Sequence, residues 1–122
     1  MGDEKGRILC VDDHPDICWL IILVLTSLGY KVESVQSYTE ALAQALIGQY
    51  NLYIINGDLP GRMCVDLYQQ IRALNSIVPI LFTSAQVLPN EISEALKCSG
   101  NYYLAYPFEI PQLEALVSQL LG

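Results

Sequence analysis

The residues able to do chemistry fall at two points of the chain. One is the acidic pair Asp12-Asp13. The other is the stretch Asn56-Gly57-Asp58-Leu59-Pro60-Gly61. Each follows a short apolar run, Ile8-Leu9-Cys10-Val11 and Leu52-Tyr53-Ile54-Ile55. Such runs read as strands buried on both faces of a sheet. The residues at their carboxyl ends then stand where open α/β sheets take their ligands. A carboxylate at position 56, beside Asp12 and Asp13, would make a phosphate-accepting or metal-binding site. The residue is instead Asn56, whose amide nitrogen lone pair is delocalised and whose oxygen is a poor nucleophile. Two clustered carboxylates repel and need a cation or hydrogen-bond donors nearby. The Asn56 amide N–H can be such a donor, which lets the acidic pocket stand without a metal. One His beside two Asp is not a zinc pattern, so His14 reads as an ordinary loop residue. Asn56-Gly57 also invites deamidation to Asp or isoAsp, which a folded loop opposes.

These points must be held by ordered elements. After the first strand, Pro15 suits the first turn of a helix that runs to about Leu28, with Gly29 as its stop. Lys31 to Val35 is a second strand. Ser37-Tyr38-Thr39-Glu40 is a capping-box pattern opening a helix that runs to about Gly48. Leu52 to Ile55 is the third strand. Val65 to Ile71 has helical spacing. Pro79 to Thr83 is a fourth strand ending in Ser84-Ala85, and Glu91 to Cys98 is a helix. Tyr103-Leu104 lies in a fifth strand closed by Tyr106-Pro107-Phe108. Ile110 to Leu121 is the last helix, with Leu113, Leu116, Val117 and Leu120 on one face. Five alternations of strand and helix mean a parallel sheet covered on both sides, a doubly wound α/β fold with five helices.

At 122 residues and 52% hydrophobic, the chain is expected to be one domain over residues 1–122 with a real core. A net charge of −7 with only 6 scattered basic residues excludes a phosphate-backbone binder, so no nucleic-acid partner is expected. Cys10, Cys18, Cys64 and Cys98 form no C-x-x-C pair. They read as buried or half-buried free thiols in a reducing compartment. The polar lead-in over 1–6 carries no signal-peptide pattern. The apolar run from Ile17 to Leu25 is less than half of the ~20 residues that span a bilayer. A cytoplasmic protein with no membrane association is expected.

With its five units laid out, the chain resembles a bacterial response-regulator receiver domain over nearly its whole length. Ile8 to Asp13 is similar to that family's first strand and acidic pair. Leu52 to Asn56 is similar to the strand that carries its phosphoacceptor, and Asp58-Leu59-Pro60-Gly61 to the loop that follows. Phe82-Thr83-Ser84-Ala85 resembles the switch-hydroxyl motif, with Ser84 in the switch position. Tyr103 matches the rotating aromatic, and Pro107-Phe108 the end of the fifth strand. The resemblance implies a flavodoxin-like sheet of order 2-1-3-4-5. It also implies an acidic metal pocket of Asp12 and Asp13, to which Asp58 lends its backbone carbonyl. The Asp58 carboxylate is free, on the sequence, to point to solvent or to turn inward and join the pocket. Three positions depart from the family. Asn56 stands in place of the phosphoacceptor Asp, Tyr106 in place of a Lys, and Cys64 in place of a Gly. A Lys ammonium would pair with phosphoryl oxygens and draw the switch hydroxyl inward, and Tyr106 carries no charge to do so. Ser84 reads as a structural hydroxyl, because His14 is the only His in the chain and is not placed to serve as its base.

The expected function is that of a pseudo-receiver, a non-enzymatic protein-interaction module not phosphorylated on aspartate. The alternative is a phosphorelay receiver carrying an Asp-to-Asn substitution at the acceptor. A flavodoxin-like cofactor binder is a remote third, since nothing marks a flavin pocket. No cofactor is expected, or magnesium held weakly. The expected partners are a histidine kinase, a phosphotransfer protein or an output protein, or a second copy bound through the first helix. On that helix Ile17, Leu20, Ile21, Val24 and Leu28 can cover the sheet. Cys18, Trp19, Ile22 and Leu23 fall on the other side, where Trp19, Ile22 and Leu23 make an apolar patch suited to an interface.

Overall fold

A computed structural model describes residues 5–122, so most of the lead-in expected over 1–6 lies outside the described residues. Among the described residues, ten elements alternate without exception. They are β1 (Arg7–Val11), α1 (Pro15–Ser27), β2 (Lys31–Val35), α2 (Tyr38–Ile47), β3 (Leu52–Asn56), α3 (Met63–Leu74), β4 (Ile80–Ser84), α4 (Asn90–Ala95), β5 (Asn101–Ala105) and α5 (Ile110–Leu121). The strands are all parallel in the order β2-β1-β3-β4-β5, the order the resemblance implies.

Strand alternation divides the core in two. Leu9, Val11, Tyr53, Ile55, Ile80 and Phe82 face α2, α3 and α4. Ile8, Cys10, Leu52, Ile54 and Leu81 face α1 and α5. Successive side chains point to opposite faces, so a strand sheltered on both sides must be apolar throughout. All five residues of β3 and of β4 are buried. This rigid centre mounts the site. Val11 pairs with Ile55 and Asn56 with Thr83, which brings the ends of β1, β3 and β4 to one level.

The helix ends follow local chemistry. Pro15 occupies the first turn of α1. The Ser37 hydroxyl caps α2 by accepting the Glu40 N–H at 3.2 Å. The Glu40 carboxylate accepts from the Gln36 N–H and the Ser37 hydroxyl, at 3.3 and 3.2 Å. Glu109 and Gln112 form a reciprocal capping box on α5, without the Ser or Thr that usually marks one in a sequence.

Three expectations are corrected. The helix expected over Glu91 to Cys98 stops at Ala95, whose carbonyl accepts the Asn101 amide at 2.8 Å and the Cys98 N–H at 3.0 Å. Beyond that point the backbone tightens, Lys97 bonding back to Glu94 and Cys98 to Ala95. Cys98 therefore lies in a turn and is exposed, whereas the other three cysteines are buried. On α1 the inward face is Cys18, Ile21, Val24 and Leu25, with Ile17, Leu20 and Leu28 half-buried beside it. Cys18 thus belongs to the core and not to the outer face. The helix is wedged between the sheet and α5, which widens its apolar stripe, and the Cys18 thiol donates to the Asp12 carbonyl at 3.3 Å. Trp19 and Leu23 stay outside, 62% and 52% exposed, with Ile22 half-buried between them.

Candidate functional site

The carboxyl ends of β1, β3 and β4 open into a cleft of about 360 Å³ lined by Asp12, His14, Asn56, Asp58, Ser84 and Tyr106, among others. Among the described residues, no Lys or Arg lines it. Asp12 and Asn56 are buried at its floor, His14 is exposed at its rim, and Asp13 is exposed beside His14.

The Asn56 amide is fixed at both ends. Its Nδ2 donates to Asp12 Oδ1 at 3.2 Å, and its Oδ1 accepts the Asp58 N–H at 2.9 Å. A backbone N–H can only donate and a carboxylate can only accept, so the two partners select this orientation together. The donor expected from the sequence is therefore supplied, and the amide oxygen is turned away from the acidic pair. Asp12 Oδ1 also accepts the His14 backbone N–H at 2.9 Å. The His14 ring, expected to be an ordinary loop side chain, lies between the acids, with Nδ1 at 3.2 Å from Asp12 and 3.1 Å from Asp13. The hydrogen bond to Asp12, then the charge of Asp13, raises its pKa above the ordinary imidazole value.

Magnesium demands oxygen ligands in near-octahedral geometry. At this site an amide N–H points toward the acidic pocket, and the amide oxygen is committed to the Asp58 backbone. The residues do not fit that ion as arranged. Asp12, Asp13 and His14 do bring three potential ligand atoms within 4.8 Å of one another.

The Asp58 side chain takes the inward of the two orientations open to it. Its carboxylate is not turned to solvent. Oδ1 accepts the Ser84 hydroxyl at 2.6 Å, and Oδ2 accepts the Ala85 N–H at 2.7 Å. The sequence carries little sign of this contact, because one partner is a hydroxyl and the other a main-chain group. Ser84 is 2% exposed and its oxygen also accepts the Gln86 N–H at 3.0 Å. The Ser84 carbonyl accepts the Tyr106 N–H at 2.9 Å and lies 3.4 Å from the Tyr103 hydroxyl. Tyr103 is 41% exposed on the edge strand. Tyr106 packs edge-on against Phe108, ring centroids 5.5 Å apart. Cys64 is buried in the first turn of α3, and that burial pushes its thiol up to about 12. Trp19, Ile22 and Leu23 lie on α1, outside the cleft lining.

Comparison with known proteins gives a consistent result. Residues 8–118 match the family model described as the response regulator receiver domain. The chain is 34% identical over 119 residues to the transcriptional regulatory protein YkoG of Bacillus subtilis, a match covering 97% of this chain and 52% of that protein. It is 32% identical over 117 residues to the sensor protein EvgS of Escherichia coli, covering 96% of this chain and 10% of the relative. The chain thus spans about half the length of the first relative and a small part of the second. Among solved structures, the chemotaxis protein CheY4 of Vibrio cholerae superposes with a TM-score of 0.84 at 24% identity, covering 95% of this chain and 98% of that one.

Proposed function

The chain belongs to the response-regulator receiver-domain family of two-component systems, and from that premise we propose that residues 1–122 form one receiver-like domain acting as a protein-interaction module without aspartyl phosphorylation. Receiver domains are signalling modules that work with histidine kinases and output domains. The single observation that carries the finer reading is the Asn56 amide, held by Asp12 on one side and the Asp58 backbone on the other. It offers no nucleophilic oxygen to a phosphodonor. Tyr106 supports the same reading, since among the described residues no ammonium stands in the cleft to pair with phosphoryl oxygens. The module is read as non-enzymatic and as having no resident cofactor, or magnesium only weakly. Among the described residues no helix is long and apolar enough to cross a membrane, in keeping with a cytoplasmic reading. Its partners are a histidine kinase, a phosphotransfer or output protein, or a second copy bound through Trp19, Ile22 and Leu23.

The test is incubation with magnesium and acetyl phosphate, followed by mass spectrometry for a hydroxylamine-labile adduct. The unmodified chain is expected to give none, and a stoichiometric adduct on any cleft residue overturns the reading. A phosphorelay receiver with a substituted acceptor is the second reading, favoured by the retained Asp12, Asp13 and Ser84. It requires that Asn56→Asp alone restore full labelling. On the first reading that variant labels poorly, because Tyr106 cannot replace the missing cation.

A further inference from the structure

The Asp58 carboxylate uses both oxygens on two consecutive residues at the end of β4. Ser84 gives its hydroxyl proton at 2.6 Å and Ala85 its backbone N–H at 2.7 Å. Hydrogen bonds to an ionised acceptor are short and roughly twice as strong as neutral ones. Ser84 has one proton to give, and the Gln86 carbonyl lies 2.8 Å from the same hydroxyl. The charged acceptor is nearer and takes the proton in preference. A second link runs alongside, where the Gly57 N–H donates to the Thr83 carbonyl at 2.6 Å. Ser84 in turn reaches β5 through its carbonyl. The loop after β3 is therefore fastened to the loop after β4 by a carboxylate that the chain itself supplies. Among the described residues, no Lys or Arg in the cleft competes for it.

Two donors turned toward the two oxygens of one carboxylate form an anion site. We propose that Asp58 is a built-in anion for this site, a latch that holds Ser84 and residues 85–88 in one setting without any charge added at position 56. The latch does not depend on the pseudo-receiver reading, because its two hydrogen bonds involve neither Asn56 nor Tyr106.

Amide NMR and hydrogen exchange on the whole chain test it, using Asp58→Ala, Asp58→Asn and the unmodified protein. Asp58 is only half-buried, and circular dichroism together with the exchange of the Ile54 and Leu81 amides reports whether the sheet is intact. In the unmodified protein the Ala85 amide is expected far downfield and protected. In Asp58→Ala it moves upfield and exchanges at least about tenfold faster, with shifts through residues 84–88 and unchanged protection in β3 and β4. Asp58→Asn keeps the shape but leaves one acceptor oxygen for two donors, so at least one of Ser84 and Ala85 must shift. If both variants leave residues 84–88 unchanged in shift and exchange, the latch does not exist. Neither result depends on phosphodonor labelling, so failure here is distinct from failure of the proposed function.

Discussion

Asn56 occupies its position as a donor as much as a poor nucleophile. Its N–H lies 3.2 Å from Asp12 Oδ1, inside the sheet end. Asn56→Asp replaces that donor with a second negative charge facing a buried carboxylate. The variant loses a buried hydrogen bond and gains like-charge repulsion, a cost of roughly 1–3 kcal/mol. Melting should fall accordingly, and magnesium should recover part of the loss in the variant while leaving the unmodified protein unchanged. Thermal melts with and without the metal measure this. A magnesium-dependent rise in the unmodified protein at submillimolar concentration would contradict the poor fit of the amide-lined pocket to that ion. The adjoining Asn-Gly bond raises a related point. Deamidation needs the Gly57 nitrogen to attack the Asn56 side chain, and that N–H is engaged by Thr83 at 2.6 Å. At this scale the positions of Asp12, Asn56 and Ser84 are legible, since each ends or directly follows an apolar strand. The roles of Asp58 and His14 are not, because their partners are set by loop geometry that no spacing encodes.

Among the elements, α1 has the most unusual surface. Its inward face is satisfied by Cys18, Ile21, Val24 and Leu25, yet Trp19 and Leu23 remain largely in solvent. The helical period places Trp19 and Leu23 on this outer stripe, but it also places there Cys18, which is buried, and Ile22, which is half-buried. Periodicity fixes the relative angles of residues on a helix, not how far α5 wraps around it. Burying Trp19 and Leu23 against another chain would contribute roughly 1.5–3 kcal/mol each before association costs. Ile22 is half-buried, so the cleaner disruption is Trp19→Glu with Leu23→Lys, both exposed. That variant is expected to keep its circular dichroism spectrum and to lose self-association or partner binding in sedimentation. Normal folding with unchanged mass and unchanged partner binding would remove α1 as the interface. The early end of α4 follows the same lesson. Its residues carry helical spacing to Cys98, but the Ala95 carbonyl accepts both the Cys98 N–H and the Asn101 amide arriving from β5. A partner from another strand is invisible to a window of local sequence.

For the molecule as a whole, the alternation of apolar runs with helical periods was enough to give the doubly wound sheet. The strand order came with the family resemblance, since alternation alone does not order the strands. The fully buried β3 and β4 explain how the site can change its chemistry without changing the fold. Asn56, Asp58 and Ser84 sit at or just past the strand ends, while stability resides one residue deeper. Ile55 is 0% exposed and immediately precedes Asn56. Ile55→Ala should cost ~2–5 kcal/mol through lost transfer free energy and an unfilled cavity. That is a large share of the roughly 5–15 kcal/mol that holds a domain of this kind. Val87, 93% exposed in the loop after β4, should change stability by no more than about 0.5 kcal/mol on truncation to Ala. Urea unfolding separates the two cases, with the midpoint falling for Ile55→Ala at unchanged slope. Equal losses at the two positions would mean that the apolar strand pairs do not dominate stability, and that the cleft is not mounted on a rigid centre.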